Sequence, residues 1–126
     1  MSKHESWRTR KFWEQTGGLL IEEFQAVKAT GLIGQRLIDG LIVLNEPKAI
    51  HSGNTYDIAD RDVIIIQTKA GRLGMNLLGQ AYFSRFLIDQ FKPLSIRCVA
   101  ICGKTDEKME ELAKLHAIEV VVIPNE

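Results

Sequence analysis

The chain has 126 residues, 45% of them hydrophobic, with 16 basic and 16 acidic side chains and a formal net charge of zero. That length suits one domain, residues 1–126, able to bury about two-thirds of the surface its unfolded form would expose. Balanced charge excludes a whole-protein field that recruits polyanions, so any nucleic-acid site has to come from local clustering. No apolar run approaches the ~18 residues that span a bilayer. The N-terminus, MSKHESWRTRKFW, lacks the apolar core of a secretory signal, which predicts a cytoplasmic protein without membrane partners.

In chain order, residues 5–16 read as a helix. Trp7, Arg10, Lys11 and Glu14 recur at helical spacing, Phe12 and Trp13 are available to dock it, and Gly17-Gly18 ends it. LLIEEFQAVKA and RLIDGLIVL read as two strands joined by TGLIGQ, whose glycines permit a hairpin turn. Residues 45–61 are polar, are punctuated by Pro47 and Gly53, and read as a loop. A strand over about 62–69 follows. Val63 to Ile66 is continuously apolar, as in a strand covered on both faces.

From Leu73 to Phe91 the spacing predicts a helix with a broad buried face. SIRCVAIC is a strand, TDEKMEELAKLHA a charged amphipathic helix capped by Thr105, and IEVVVIP a final strand. The order is helix, three strands, helix, strand, helix, strand. It predicts an antiparallel meander followed by two right-handed parallel crossovers, an α/β arrangement with a mixed sheet. Cys98 and Cys102 would share one face of their strand about 13 Å apart, too far for a disulfide, and read as core packing.

Three polar residues interrupt this pattern. Asp39 falls mid-strand on the side expected for Leu37, Leu41 and Val43, where a carboxylate is costly to desolvate unless a cation or several donors meet it. The same period of two puts Gln67 and Lys69 on the face of Val63 and Ile65. If the two strands pair, an acid, an amide and an ammonium converge at one place. The alternative is that each strand simply emerges into solvent, with Lys69 snorkelling outward and Asp39 serving a turn or an ion pair.

RLIDGLIV followed by DVIIIQTKA resembles the PD-(D/E)XK nuclease superfamily, the restriction-endonuclease-like fold that includes Holliday junction resolvases and RecB-type nuclease domains. Residues 5–102 carry the element order of its core, namely helix, three-strand antiparallel meander, helix and parallel strand. The C-terminal helix and strand would be additions to it. The resemblance implies a metal-dependent nuclease with Asp39 as central metal ligand, Gln67 in the place of the usual second acid, and Lys69 positioning or polarising the attacking water. It implies Mg2+ or Mn2+ as cofactor and DNA as partner.

Gln80 resembles a glutamine that some RecB-type members carry on this helix, although Ser84 stands where their tyrosine is expected. A further acid would come from Glu5, Glu14, Glu22 or Glu23. Arg72, beside Gly71 and Gly74 where the strand turns into a helix, suits a substrate phosphate at a helix N-terminus; a tight turn needing small residues explains the glycines equally well.

Other readings stand beside these. The basic and aromatic residues of the first helix, Lys3, Arg8, Arg10 and Lys11 with Trp7 and Trp13, suit either a DNA backbone or a solvated face with two docked tryptophans, and the scatter of the arginines around the helix favours docking. His51 and His116 have no metal-ligand spacing. The long loop carrying His51 faces either substrate or solvent. Two other function classes remain: a non-catalytic nucleic-acid-binding or protein-interaction module on the same fold, and a small-molecule or nucleotide-binding α/β protein using the turn at Gly71. With so little chain beyond the core, the size predicts structure- or end-directed action before sequence-specific cutting. The apolar last strand suits the edge of a sheet and pairing with a second copy as a homodimer.

Overall fold

In a computed structural model, residues 3–125 are described, with side chains from Ser6 onward. The elements are α1 (Lys3–Thr16), β1 (Leu19–Val27), β2 (Arg36–Val43), β3 (Ala49–Ile50), β4 (Asp62–Arg72), α2 (Met75–Asp89), β5 (Ser95–Lys104), α3 (Glu107–Leu115) and β6 (Ile118–Val122). They form a six-stranded mixed sheet in the order β3-β1-β2-β4-β5-β6. Strands β1, β2 and β4 are the expected antiparallel meander, and β4, β5 and β6 run parallel, joined through α2 and α3.

The continuous apolar run of β4 has its explanation in two cores. Val63 and Ile65 pack with Leu77, Leu78 and Ala81 of α2 and Ala113 of α3. Ile64 and Ile66 pack with Phe12 and Trp13 of α1 on the opposite face. The molecule is therefore three layers, with α1 on one side of the sheet and α2 and α3 on the other. Gly40 lets α1 approach closely, since a Cβ there would lie 2.6 Å from Cγ2 of Thr9. Gly17 and Gly18 end α1 with φ of +81° and +84°, a conformation that glycine adopts without a Cβ clash.

Four sequence expectations are corrected. The loop over 45–61 contains β3, which adds to β1 in parallel through Leu19↔Ala49 and Leu20↔Ile50; two residues are too few to show a period. Asp106, not Thr105, caps α3, its carboxylate accepting from the N–H of Met109 at 3.0 Å. Arg8 is 2% exposed, its Nε donating to the carbonyl of Ile123 at 2.9 Å and its Nη2 to Oδ1 of Asn125, while its guanidinium lies 4.4 Å from the Trp7 ring centre. It is a tether between α1 and the chain end rather than a surface cation. Arg10 is held in a two-pronged bond to Glu22, at 2.8 Å for each prong, and Trp13 is buried with Trp7 packed against the same core, so the docked reading of α1 holds.

The fourth correction concerns a neighbour of Asp39, Leu37, since Asp39 itself opens on the α2 side as Leu41 and Val43 do. Leu37 is exposed, and Ile38 joins Leu41 and Val43 in the α2-side core. The alternation of β2 reverses between residues 38 and 41, and that of β1 reverses between Ile21 and Phe24, both also in that core. Glu23 sits at the reversal with φ of +51°, between the pairs Glu22↔Gly40 and Phe24↔Ile38. An irregular residue that twists a strand and re-aims its neighbours is common beside functional sites. Cys98 and Cys102 are buried, unbridged and on one face, as expected; burial pushes both thiols up from their ordinary range.

Candidate active site

A cleft of about 510 Å³ opens between β2, the end of β4 and α2. Asp39 reaches it from β2 and Gln67 from β4. Beyond the last paired residues, Gly40 and Ile66, the two strands remain linked by a side chain: Oδ2 of Asp39 accepts from the backbone N–H of Thr68 at 2.9 Å. This bond supplies one of the donors that a half-buried carboxylate needs.

Gln67 is only 7% exposed. Its Nε2 donates to Oγ of Ser84 at 2.8 Å, and Ser84 in turn donates to the carbonyl of Gln80, one helical turn earlier, at 2.5 Å. The proton of the serine hydroxyl is committed to α2, so the group facing it has to be a donor. That fixes the polarity of the amide, with its nitrogen toward Ser84 and its oxygen turned away from that hydroxyl. Gln80 lies on the same wall, exposed.

Lys69, two residues beyond Gln67, is exposed and lines a neighbouring hollow of about 270 Å³ with Arg72 and Gly74. Met75 and Asn76 line both spaces and join them. This hollow lies at the N-terminus of α2, whose N-cap Gly74 offers no side-chain acceptor and whose first turn has no acidic residue. Arg72 lies 3.9 Å from Asp106, at the limit of an ion pair. The shared lining of Met75 and Asn76 puts Lys69 and Arg72 next to the cleft of Asp39 and Gln67.

The candidate further acids are dispersed. Glu14 is exposed and bonded to Lys48 at 2.9 Å, and Glu22 is held by Arg10. Glu23 sits at the reversal in β1, between the residue pairs that flank Asp39. The side chain of Glu5 lies outside those described. Among the described residues no group of three His, Cys, Asp or Glu side chains is placed to hold a metal ion.

Sequence reasoning noticed Ser84 only as a departure from tyrosine and passed over Arg36, Gly79 and Phe83, which also line the cleft. For Phe83 a signal was present, since positions 76, 80, 83 and 87 form a single helical stripe starting with two amides; Arg36 and Gly79 carry none. His51, in the long loop, bonds the carbonyl of Thr55 at 3.0 Å. Among the described residues no helix is long and apolar enough to cross a membrane. Comparison with known proteins gives no matching family model, no matching curated protein and no matching solved structure.

Proposed function

We propose that the protein is a metal-dependent phosphodiesterase of the PD-(D/E)XK, restriction-endonuclease-like type, cutting DNA in a structure- or end-directed way. The observation that carries this reading is the meeting of Asp39 and Gln67, from two different strands, in one cleft that adjoins Lys69 and Arg72. The order of helix, meander, helix and parallel strand supports it.

A carboxylate and an amide oxygen are hard ligands, and magnesium accepts one or two such protein groups while keeping several waters, so the pair fits Mg2+ or Mn2+. Asp39 and Gln67 would hold the ion. Bound there, it supplies charge neutralisation at a phosphate and a water of lowered pKa. Asp39, oriented by the N–H of Thr68, brings the only formal negative charge of the pair. Gln67 presents its oxygen because Ser84 holds its nitrogen. Lys69 donates to a phosphate oxygen or handles the proton of the attacking water. Arg72 and the first amides of α2 bind a neighbouring phosphate, and Gln80 contacts substrate from the cleft wall.

The test is magnesium- or manganese-dependent cleavage of labelled single-stranded, duplex and branched DNA by native protein, Asp39→Asn and Lys69→Ala. Cutting abolished by both substitutions supports the assignment. Absence of cutting by native protein, with retained binding, moves the reading to a non-catalytic nucleic-acid-binding module. The neutral amide at position 67, which leaves the pair one negative charge short of two acids, favours that second reading. In either case β6 is the terminal strand of the sheet, and its outer edge suits pairing with a second copy.

A further inference from the structure

Two features of the cleft wall have no structural reason. Phe83 is 65% exposed, although it stands on α2 facing the same cleft as Asp39 and Gln67. Gly79, one turn earlier, lies inside a regular helix, where glycine costs stability relative to alanine. A Cβ at Gly79 would meet nothing within 4 Å, so no packing demands its absence. Together they leave a bare stretch of helix bounded by an exposed ring. Tyr82 packs edge-on against that ring, with centroids 5.2 Å apart and planes at 84°, and limits its freedom. On the opposite wall stands Arg36, whose Nη1 bonds the carbonyl of Gln35 and which pairs with no carboxylate among the described residues.

An aromatic face, a flat approach over glycine and an arginine next to a carboxylate and an amide match the requirements of an unpaired nucleotide: a base to stack, room for it to lie against the helix, and a cation for its phosphate. A continuous duplex keeps its bases stacked on each other and presents none to Phe83. We propose that this cleft takes an unpaired nucleotide, its base stacked on Phe83 over Gly79, so that the substrate class is single-stranded DNA or the unpaired strand of a frayed or branched end. The inference rests on the nuclease reading for what happens next, but its binding step does not.

The experiment measures binding in EDTA, where no cutting occurs, of an oligonucleotide about 12 nucleotides long carrying 2-aminopurine, against a blunt hairpin duplex. Native protein should bind the single strand more tightly and quench the reporter base. Phe83→Ala should weaken single-strand binding about 5- to 100-fold and leave duplex binding unchanged. Phe86 serves as control: it is 58% exposed on the same helix and packs on the same Tyr82, but does not line the cleft, so Phe86→Ala should have no effect. Gly79→Ala should raise Tm by about 2–5 °C while weakening single-strand binding, opposite signs that a purely structural role cannot produce.

The proposal is overturned by equal losses in the two phenylalanine variants, by unaltered binding in Phe83→Ala, or by a Gly79→Ala variant that binds normally. A Phe83→Ala variant whose only change is in sedimentation overturns it too, since the ring would then serve a protein contact. Single-strand binding through Phe83 with no cutting under magnesium or manganese sinks the nuclease reading and upholds this one. Cutting without any Phe83-dependent binding does the reverse.

Discussion

The carboxylate of Asp39 and the backbone N–H of Thr68 are joined at 2.9 Å across two strands whose regular pairing has already ended at Gly40 and Ile66. One side chain thus does two things, closing the ladder and facing the cleft, and the two roles are separable. Asp39→Ala leaves a partly buried N–H unpaired and should cost about 1–3 kcal/mol in urea unfolding. Asp39→Asn keeps an acceptor for Thr68 and should unfold within about 0.5 kcal/mol of native. Both should abolish metal-dependent cleavage. A cutting Asp39→Asn protein would remove Asp39 from the proposed metal site.

Ser84 holds the nitrogen end of the Gln67 amide and so fixes its orientation. Ser84→Ala leaves Nε2 without its partner and should destabilise by about 1–2 kcal/mol, with a weaker manganese-induced rise in Tm because the oxygen is no longer oriented. Gln67→Glu places a second carboxylate, nearly fully buried, beside Asp39. In EDTA it should melt below native, and manganese should raise its Tm by more than it raises that of native protein. Equal manganese shifts in native protein and Gln67→Glu would mean that position 67 does not touch the ion.

Arg8 is expected to matter for the fold and not for DNA. Arg8→Lys retains the charge but loses the fork that spans Ile123 and Asn125, and should cost about 1–3 kcal/mol by chemical denaturation. Amide exchange over residues 118–123 should accelerate in the same variant, since the chain end loses its tether to α1. Unaltered stability with a selective loss of DNA affinity would return Arg8 to the list of surface cations.

The thiols set an alkaline limit. Burial raises Cys98 most strongly, with Arg85 partly opposing the shift, and burial likewise raises Cys102 against the opposing backbone bond of Lys104. A folded pKa above the unfolded value means that the unfolded chain holds fewer protons between the two. Stability from this source is therefore complete below about pH 8.5 and declines as pH rises toward the folded values. Urea midpoints should fall from about pH 8.5 upward, and a Cys98→Ala, Cys102→Ala variant should lose that slope. Neither thiol should react with a thiol reagent in native protein at pH 8, whereas both should once urea unfolds the chain.

What the sequence determined by itself is the set of longer elements, all but the two-residue β3, and their order. The apolar runs of β4 and β5 and the 3.6-residue spacing of α2 are local signals, and alternation of strand with helix after residue 62 leaves right-handed parallel crossovers as the usual solution. The interruption at Asp39 and the pairing of Gln67 with Lys69 were also legible as departures from a period. That Ile38 and not Leu37 packs on the α2 side beside Asp39 was not: the reversal at Glu23 depends on a left-handed backbone residue in the neighbouring strand, which strict alternation in β2 does not anticipate.

Tertiary structure alone decided the rest. Whether Arg8 lies on the surface or in the interior depends on a carbonyl 115 residues away. The polarity of Gln67 depends on a hydroxyl 17 residues away whose proton is already committed to its own helix. Lys69 and Gln67 share a parity, yet they open into two adjoining hollows, with Met75 and Asn76 of α2 lining both. Period and propensity are properties of a short window of chain, whereas hydrogen-bond polarity, burial of charge and the division of a cleft arise only when distant segments occupy the same space.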